Sequence, residues 1–285
     1  QILRVDEAER KNAAARADMM AASDVTILCL PDDAAIEAVR LAQASQTRLI
    51  DASSAHRIDP DWVYGFAELQ PGQRDAIANG KFITNPGCYP TGFLALARPL
   101  IASGLLADTA LICTPAVSGY SGGGKAMIAR HDAGDLHPAF SYGTNLQHKH
   151  LGEMTLYSGL KTPPIFMPSV GDFYAGMLVH LPLHADQIGG SATAAMIYDC
   201  LADWYDGSAL VRMGAAAANH ADVPPMLAAD ALAGRNDMEL FVFSDATEQR
   251  FWLTARLDNL GKGASGAAVQ NMNIALGLDD HFGLS

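Results

Sequence analysis

The sequence predicts an α/β fold: a helix-covered parallel sheet followed by an α+β half built on an antiparallel sheet. Three observations carry this. Over the first third, short apolar runs alternate with helical patterns, the signature of parallel strands with crossover helices. Beyond residue 88 the β-rich runs alternate in polarity, as half-exposed antiparallel strands do. Between the two lies NPGCYPTG (85–92), a strand-to-helix corner that contains a cysteine. The 285 residues suffice for two domains, divided here at 1–87 and 88–261, with a C-terminal helix (262–285) returning to the first.

In chain order, QILRVDEAERKN reads as the end of a strand, so a first strand, glycine-rich turn and helix are expected to be missing ahead of it. DVTILCLPDDAAIEAVRLAQ is a buried strand (25–30), a turn, and a helix capped by Asp32 or Asp33. TRLIDASS and KFIT are further short strands. Ligands of such sheets bind at the carboxyl ends of the strands, which here read LPDDA, DASSAHR and NPGCYP. FLALARPLIASGLL continues the corner as a helix. ALICTPAVSG, GMLVHLPLHA, LFVFSD and RFWLTARLDNL are strands, and SATAAMIYDCLADWYDG is an amphipathic helix between them. GKGASGAAVQNMNIALGL is a glycine-rich turn entering a helix of small residues.

Composition removes several functions. A net charge of −12 argues against binding phosphate backbones, so no nucleic-acid partner is expected. No apolar run reaches spanning length, so no membrane role is expected either. The four cysteines are scattered, the pattern of a reduced, cytoplasmic protein. Cys29 and Cys113 lie in runs that read as buried strands and Cys200 in a helix.

Cys88 differs. At the first turn of a helix it faces unpaired N–H groups and the positive end of the macrodipole, so its pKa is expected below about 8.5. The same N–H groups would hold an oxyanion. Pro86 and Gly87 set the sharp approach, and Pro90 costs no hydrogen bond so early in the helix. The partner acid or base is sought in LQHKHLGEM. There His150 would begin a helix, Glu153 one turn on would orient its ring, and His148 would reach the same pocket from the entering segment. SGYSGGGKA (118–126) follows a strand; its glycines and Lys125 suit an anion, but the spacing is not that of a Walker loop. RHDAGDLH (130–137) fits no metal template and reads as a polar loop, so no metal is expected.

NPGCYPTG, PAVSGYSGGGK, HKHLGEM and DNLGKGASGAAVQNMN together resemble the N-acetyl-γ-glutamyl-phosphate reductase family, in its shorter form through LPDDAA and DASSAHR. More loosely the chain resembles aspartate-semialdehyde dehydrogenase. The resemblance implies a Rossmann-like dinucleotide domain, a catalytic and oligomerising domain, NADP(H) as cofactor, and reduction of a small acyl phosphate through a cysteine thioester. It also implies a homodimer or homotetramer. Carried over by position, Cys88, His150 and His148 would be catalytic. Lys125, Glu153 and Asn85 would meet the substrate. Pro31, Asp32, Ser53, Gly119, Ser121, Gly122, Asn259 and Gln270 or Asn271 would border the nucleotide. Arg10 and Lys11 are weaker candidates for a 2′-phosphate. Competing readings are a related acyl-phosphate reductase, a cysteine hydrolase using no nucleotide, and a non-catalytic nucleotide-binding regulator.

Overall fold

The computed structural model describes residues 1–190, 192–214 and 226–284, so Ser191 and Ser285 of the expected helices lie outside the described residues. Residues 1–6 form no strand. The first element is a helix, α1 (Ala13–Ala21), capped by the Asn12 side chain on the N–H groups of Ala14 and Ala15. This corrects the reading of QILRVD as a strand end: among the described residues these pair with no strand, and an unpaired segment has no ladder to form.

Four parallel strands make the first sheet: β1 (Val25–Leu28), β2 (Arg48–Asp51), β3 (Val63–Tyr64) and β4 (Phe82–Thr84), in the order β1-β2-β4-β3. The two-residue β3 has too little pattern to be seen in sequence. Strand alternation sends neighbouring residues to opposite faces. Leu49 packs with Met20, Ala42 and Trp62 beneath α1 and α2 (Asp32–Ala42). Ile50 packs with Ile77 and Ile83 on the other side, under α3 (Gln73–Asn79) and the last helix.

After β4 the chain turns into α4 (Cys88–Ala102), whose apolar side chains form the middle of the largest core. Beyond it come β5 (Cys113–Gly119), a 3₁₀ turn (Tyr120–Gly123), α5 (Gly124–Asp132), β6 (Ala139–Ser141) and α6 (Leu151–Ser158). There follow β7 (Ile165–Gly171), β8 (Met177–His184), α7 (Ala194–Trp204), β9 (Val211–Met213), β10 (Met238–Ser244) and β11 (Arg250–Leu257). A π turn (Gly261–Ser265) leads into α8 (Gly266–Ala275). The RHD of RHDAGDLH therefore closes α5 and is not loop.

The seven strands of the second sheet run β6-β7-β5-β8-β11-β10-β9. The sheet is mixed, not purely antiparallel. β5 pairs parallel with β7 because α5 and α6 intervene as a crossover, and β9 pairs parallel with β10. One face carries Leu181, Leu240, Leu253 and Ala255 against α4 and α7. The other is open and apolar: Ile165, Met167 and Trp252 remain 53%, 42% and 50% exposed. α8 lies with Ala268, Ile274 and Ala275 against Ile50 and Ile77 of the first sheet's layer. Among the described residues no helix is long and apolar enough to cross a membrane.

Candidate active site

Cys88 is the first residue of α4, and Gly87 before it is extended (φ −73°, ψ 149°). The extended Gly87 aims its own N–H away from the helix, at the carboxylate of Glu153 2.9 Å away. Glu153 is 1% exposed and also accepts from Tyr64 Oη at 2.9 Å and from Arg57 Nη1 at 3.0 Å. Arg57 is buried in turn and donates through Nη2 to the Ala52 carbonyl. A guanidinium, a phenol and an amide surround this buried carboxylate with hydrogen-bond donors. It pins the Pro86–Gly87 turn to two strand ends.

His150 packs on the same corner. It stands at the start of α6, as the sequence suggested, and is buried. The corner accepts it only because residue 87 has no side chain. A Cβ there would lie 2.6 Å from His150 Nε2 and 2.8 Å from Arg57 Nη1. Glu153 does not orient the ring; its oxygens are spent on Arg57, Tyr64 and Gly87, and His150 Nδ1 is buried without a hydrogen bond. This corrects the expectation that Glu153 orients the histidine. Burial, then the charges of Arg57, His148 and Lys149, hold the His150 pKa well below 6.5, so its ring is neutral at physiological pH. His148 is half-buried with its ring centre 4.6 Å from that of His150, edge-on to Phe166.

The thiol departs from expectation. Burial pushes the Cys88 pKa up to about 11, outweighing the lowering by the Tyr89 and Cys88 amides and by Arg57. The helix N-terminus acts in the expected direction but loses to desolvation. The sulfur of the free protein is a thiol at neutral pH, beside a neutral imidazole. Cys29, by contrast, is exposed just past β1 and is not a buried strand residue.

The wall opposite His150 is the π turn. A Cβ on Gly263 would stand 2.8 Å from Cys88 Cβ. Asn85 donates to the Ala264 carbonyl at 2.8 Å, so its amide holds this turn. Asn271 donates to the Gly65 carbonyl and to Asn85 Oδ1, leaving its own Oδ1 fully buried without a partner. Gln270 and Asn259 are already engaged. Gln270 bonds Lys262 and Glu68, and Asn259 joins the Gly176 amide to the Ser121 hydroxyl. Each of these two amides therefore has one N–H and one lone pair beyond those bonds.

Along the strand ends, Pro31 precedes α2 and Asp32 accepts from the Ser54 amide and hydroxyl at 2.9 and 2.8 Å. Those bonds, with Lys149 and Arg57, lower its pKa against the opposing effect of burial. Asp32 is thus a tie between two loops and not a helix cap. Ser53 is tied inward to Asp51. Gly119 packs on the Phe173 and Tyr174 carbonyls, while Gly122 and Lys125 are exposed. Among the described residues no bond joins Lys125 to the Cys88 cluster. Arg10 and Lys11 are exposed ahead of α1. Among the described residues no group of three or more His, Cys, Asp or Glu could hold a metal. Two hollows lie away from Cys88. One of about 920 Å³ runs beside Trp204 and Asp280; one of about 880 Å³ lies on the open sheet face.

Arg57, Tyr64 and Lys262 were missed in sequence. The available signal was a charged side chain in the loop that follows a strand (Arg57) or inside a glycine-rich turn (Lys262).

Two family models match. The semialdehyde dehydrogenase NAD binding domain covers residues 4–79, and the semialdehyde dehydrogenase dimerisation domain covers 88–259. N-acetyl-gamma-glutamyl-phosphate reductase of Trichormus variabilis is 47% identical over 298 residues, covering 100% of this chain and 91% of that protein. The protein of that name from Rhizobium rhizogenes is 48% identical over 282 residues, covering 97% and 90%. Among solved structures, aspartate semialdehyde dehydrogenase from Francisella tularensis superposes with a TM-score of 0.67. It shares 16% identity and covers 90% of this chain and 83% of that one, a likeness of fold.

Proposed function

This chain belongs to the semialdehyde dehydrogenase family, and on that premise we propose that it is an NADPH-dependent reductase of N-acetyl-γ-glutamyl phosphate, yielding N-acetylglutamate semialdehyde and phosphate for arginine biosynthesis. The observation that carries this reading is Cys88 at the start of α4 with neutral His150 packed on its corner, in a chain 47% identical throughout to a protein of that name.

In this reading the Cys88 sulfur attacks the acyl carbon while its proton passes to His150, whose neutral ring is free to accept it. The C–O bond to phosphate breaks, phosphate leaves, and an acyl thioester remains on Cys88. The N–H groups at the α4 terminus hold the oxygen charge that develops. NADPH, held at the carboxyl ends of the parallel strands, would supply hydride to the thioester. When the resulting thiohemiacetal collapses, aldehyde departs and His150 returns the proton to sulfur. Because desolvation disfavours a resting thiolate, deprotonation and attack are coupled. His148 and Arg57, with its buried and unpartnered Nε, are the cationic or donor groups nearest the corner for the substrate's anionic ends.

The residues present fit the nucleotide in part. The loops at Pro31–Asp32 and Ser53–Ser54 sit at carboxyl ends of parallel strands, exposed Gly122 lets a ligand approach backbone, and Asn271 Oδ1 is an unfilled acceptor. We assign the nucleotide to residues 1–87 with 262–285 and the chemistry to 88–261. The open face of the second sheet is assigned to a second copy of the chain, giving a dimer or tetramer, in the cytoplasm.

The test is the reverse reaction. Protein is incubated with N-acetylglutamate semialdehyde and NADP, with and without phosphate. Growth of reduced-nicotinamide absorbance that requires phosphate is expected. Turnover without nucleotide would replace this reading by a hydrolase.

A further inference from the structure

We infer that the buried Lys262–Glu68–Gln270 network is a positioning device for Cys88, anchoring the turn that forms one wall of its pocket; the inference rests on the reading of Cys88 as nucleophile. Lys262 is 1% exposed. Its ammonium donates to both Glu68 oxygens at 2.9 Å and to Gln270 Oε1 at 2.7 Å, and Gln270 Nε2 returns a bond to Glu68 Oε1 at 2.9 Å. Three ammonium protons meet three acceptors, so nothing remains for a ligand. A buried ion pair is weak evidence of a stability role, because well-packed apolar residues usually serve as well. What this pair does hold is geometry.

The residue after Lys262 is Gly263, the glycine pressed against Cys88. Its N–H donates to the Asp258 carbonyl at 2.9 Å, and Asn85, three residues before Cys88, donates to the Ala264 carbonyl. The turn is therefore bonded to the Cys88 corner on one side. On the other it is bolted to Glu68, 194 residues earlier and just beyond β3. The segment around Glu68 also supplies the Gly65 carbonyl that holds Asn271. Sulfur position thus depends on a charge pair bridging the first sheet's connections and the C-terminal turn. Misplacement by about 1 Å at a reacting centre costs about 10²-fold in rate.

The test uses Lys262→Met/Glu68→Gln, which removes both charges together, and Gln270→Met, which keeps them. Two readouts are taken: kcat and KM in the reverse reaction, and the iodoacetamide alkylation rate at Cys88 against pH in ligand-free protein. Cys88 is faced by Arg57 and Glu153, by Tyr89 and Tyr142, and by His150 through Gly87; none of these is altered. For the double variant, kcat is expected to fall about 10²-fold with KM held within about 2-fold. Water admitted beside the sulfur should move the alkylation midpoint down from about 11 toward the ordinary thiol range. Gln270→Met should show the same pattern at about 10-fold in kcat. Wild-type kcat and wild-type alkylation in either folded variant overturn the inference, as does a loss confined to KM. If the double variant does not fold, Gln270→Met decides. Should the wild-type protein fail to turn over the semialdehyde, the substrate reading fails while the alkylation comparison still judges the positioning role.

Discussion

Two glycine-bearing corners stand ahead of helices in this molecule, and they are built in opposite ways. At 86–88 the backbone is crowded from every side: Glu153 holds the Gly87 amide, His150 and Arg57 abut its Cα, and Gly263 abuts Cys88. At 119–124 the root is tied, through the Gly119, Tyr120 and Ser121 amides to the Gly176, Phe173 and Tyr174 carbonyls and through the Ser121 hydroxyl to Asn259, but Gly122 to Lys125 stand in solvent. The first corner places an atom. The second leaves room for a ligand. Sites that do chemistry need the rigidity of the first, and sites that admit large ligands need the accessibility of the second.

The largest expected break is Cys88→Ala, which should lower kcat about 10⁴-fold while nucleotide binding, measured by fluorescence titration, survives. Near-normal turnover would end the covalent reading. Next is Glu153→Gln. It leaves the Arg57 charge buried without its counter-ion and should cost about 3 kcal/mol in urea unfolding. Third, His150→Asn should lower kcat about 10²-fold, the usual worth of a general acid–base group, and His148→Asn less. The reverse ranking would exchange their roles.

A fourth outcome concerns pH. A thiol whose pKa is raised is protonated up to that higher value, so its thiolate fraction grows about tenfold per pH unit below it. Alkylation of Cys88 in free protein should therefore climb without a plateau between pH 7 and 10, approaching one only near 11. A plateau near pH 8.5 would mean that the helix terminus outweighs burial. The smallest contrast is between the two glycines. Gly87→Ala drives a methyl into His150 and Arg57 and should cost about 10-fold in kcat. Gly122→Ala meets the Ser118 hydroxyl at 3.0 Å and Asn259 Nδ2 at 3.6 Å, no backbone, and should change stability by no more than about 0.5 kcal/mol.

The Cys88 corner was legible in the sequence because its causes are local: a Pro-Gly turn, a strand before it and an apolar helix after it. Most strands and helices were legible for the same reason, since period two and period 3.6 are properties of neighbouring residues. The two-residue β3 and the parallel pairing of β5 with β7 were not, as pairing partners are chosen by the whole chain. Nor was the Glu153 cluster, whose members Arg57, Tyr64 and Gly87 lie 96, 89 and 66 residues from it in sequence.

What could be read from the chain's own order is the strand-to-helix corner that presents Cys88 and the histidine that begins the neighbouring helix. The tertiary structure alone decided that sulfur's protonation state, because desolvation is set by everything packed around it and not by the helix it caps. It alone also decided that Glu153 braces the turn instead of the histidine, and that a lysine read only as part of a glycine-rich turn is buried one residue from the Cys88 wall. Buried charges must find partners wherever the fold brings them, and no spacing along the chain records that meeting.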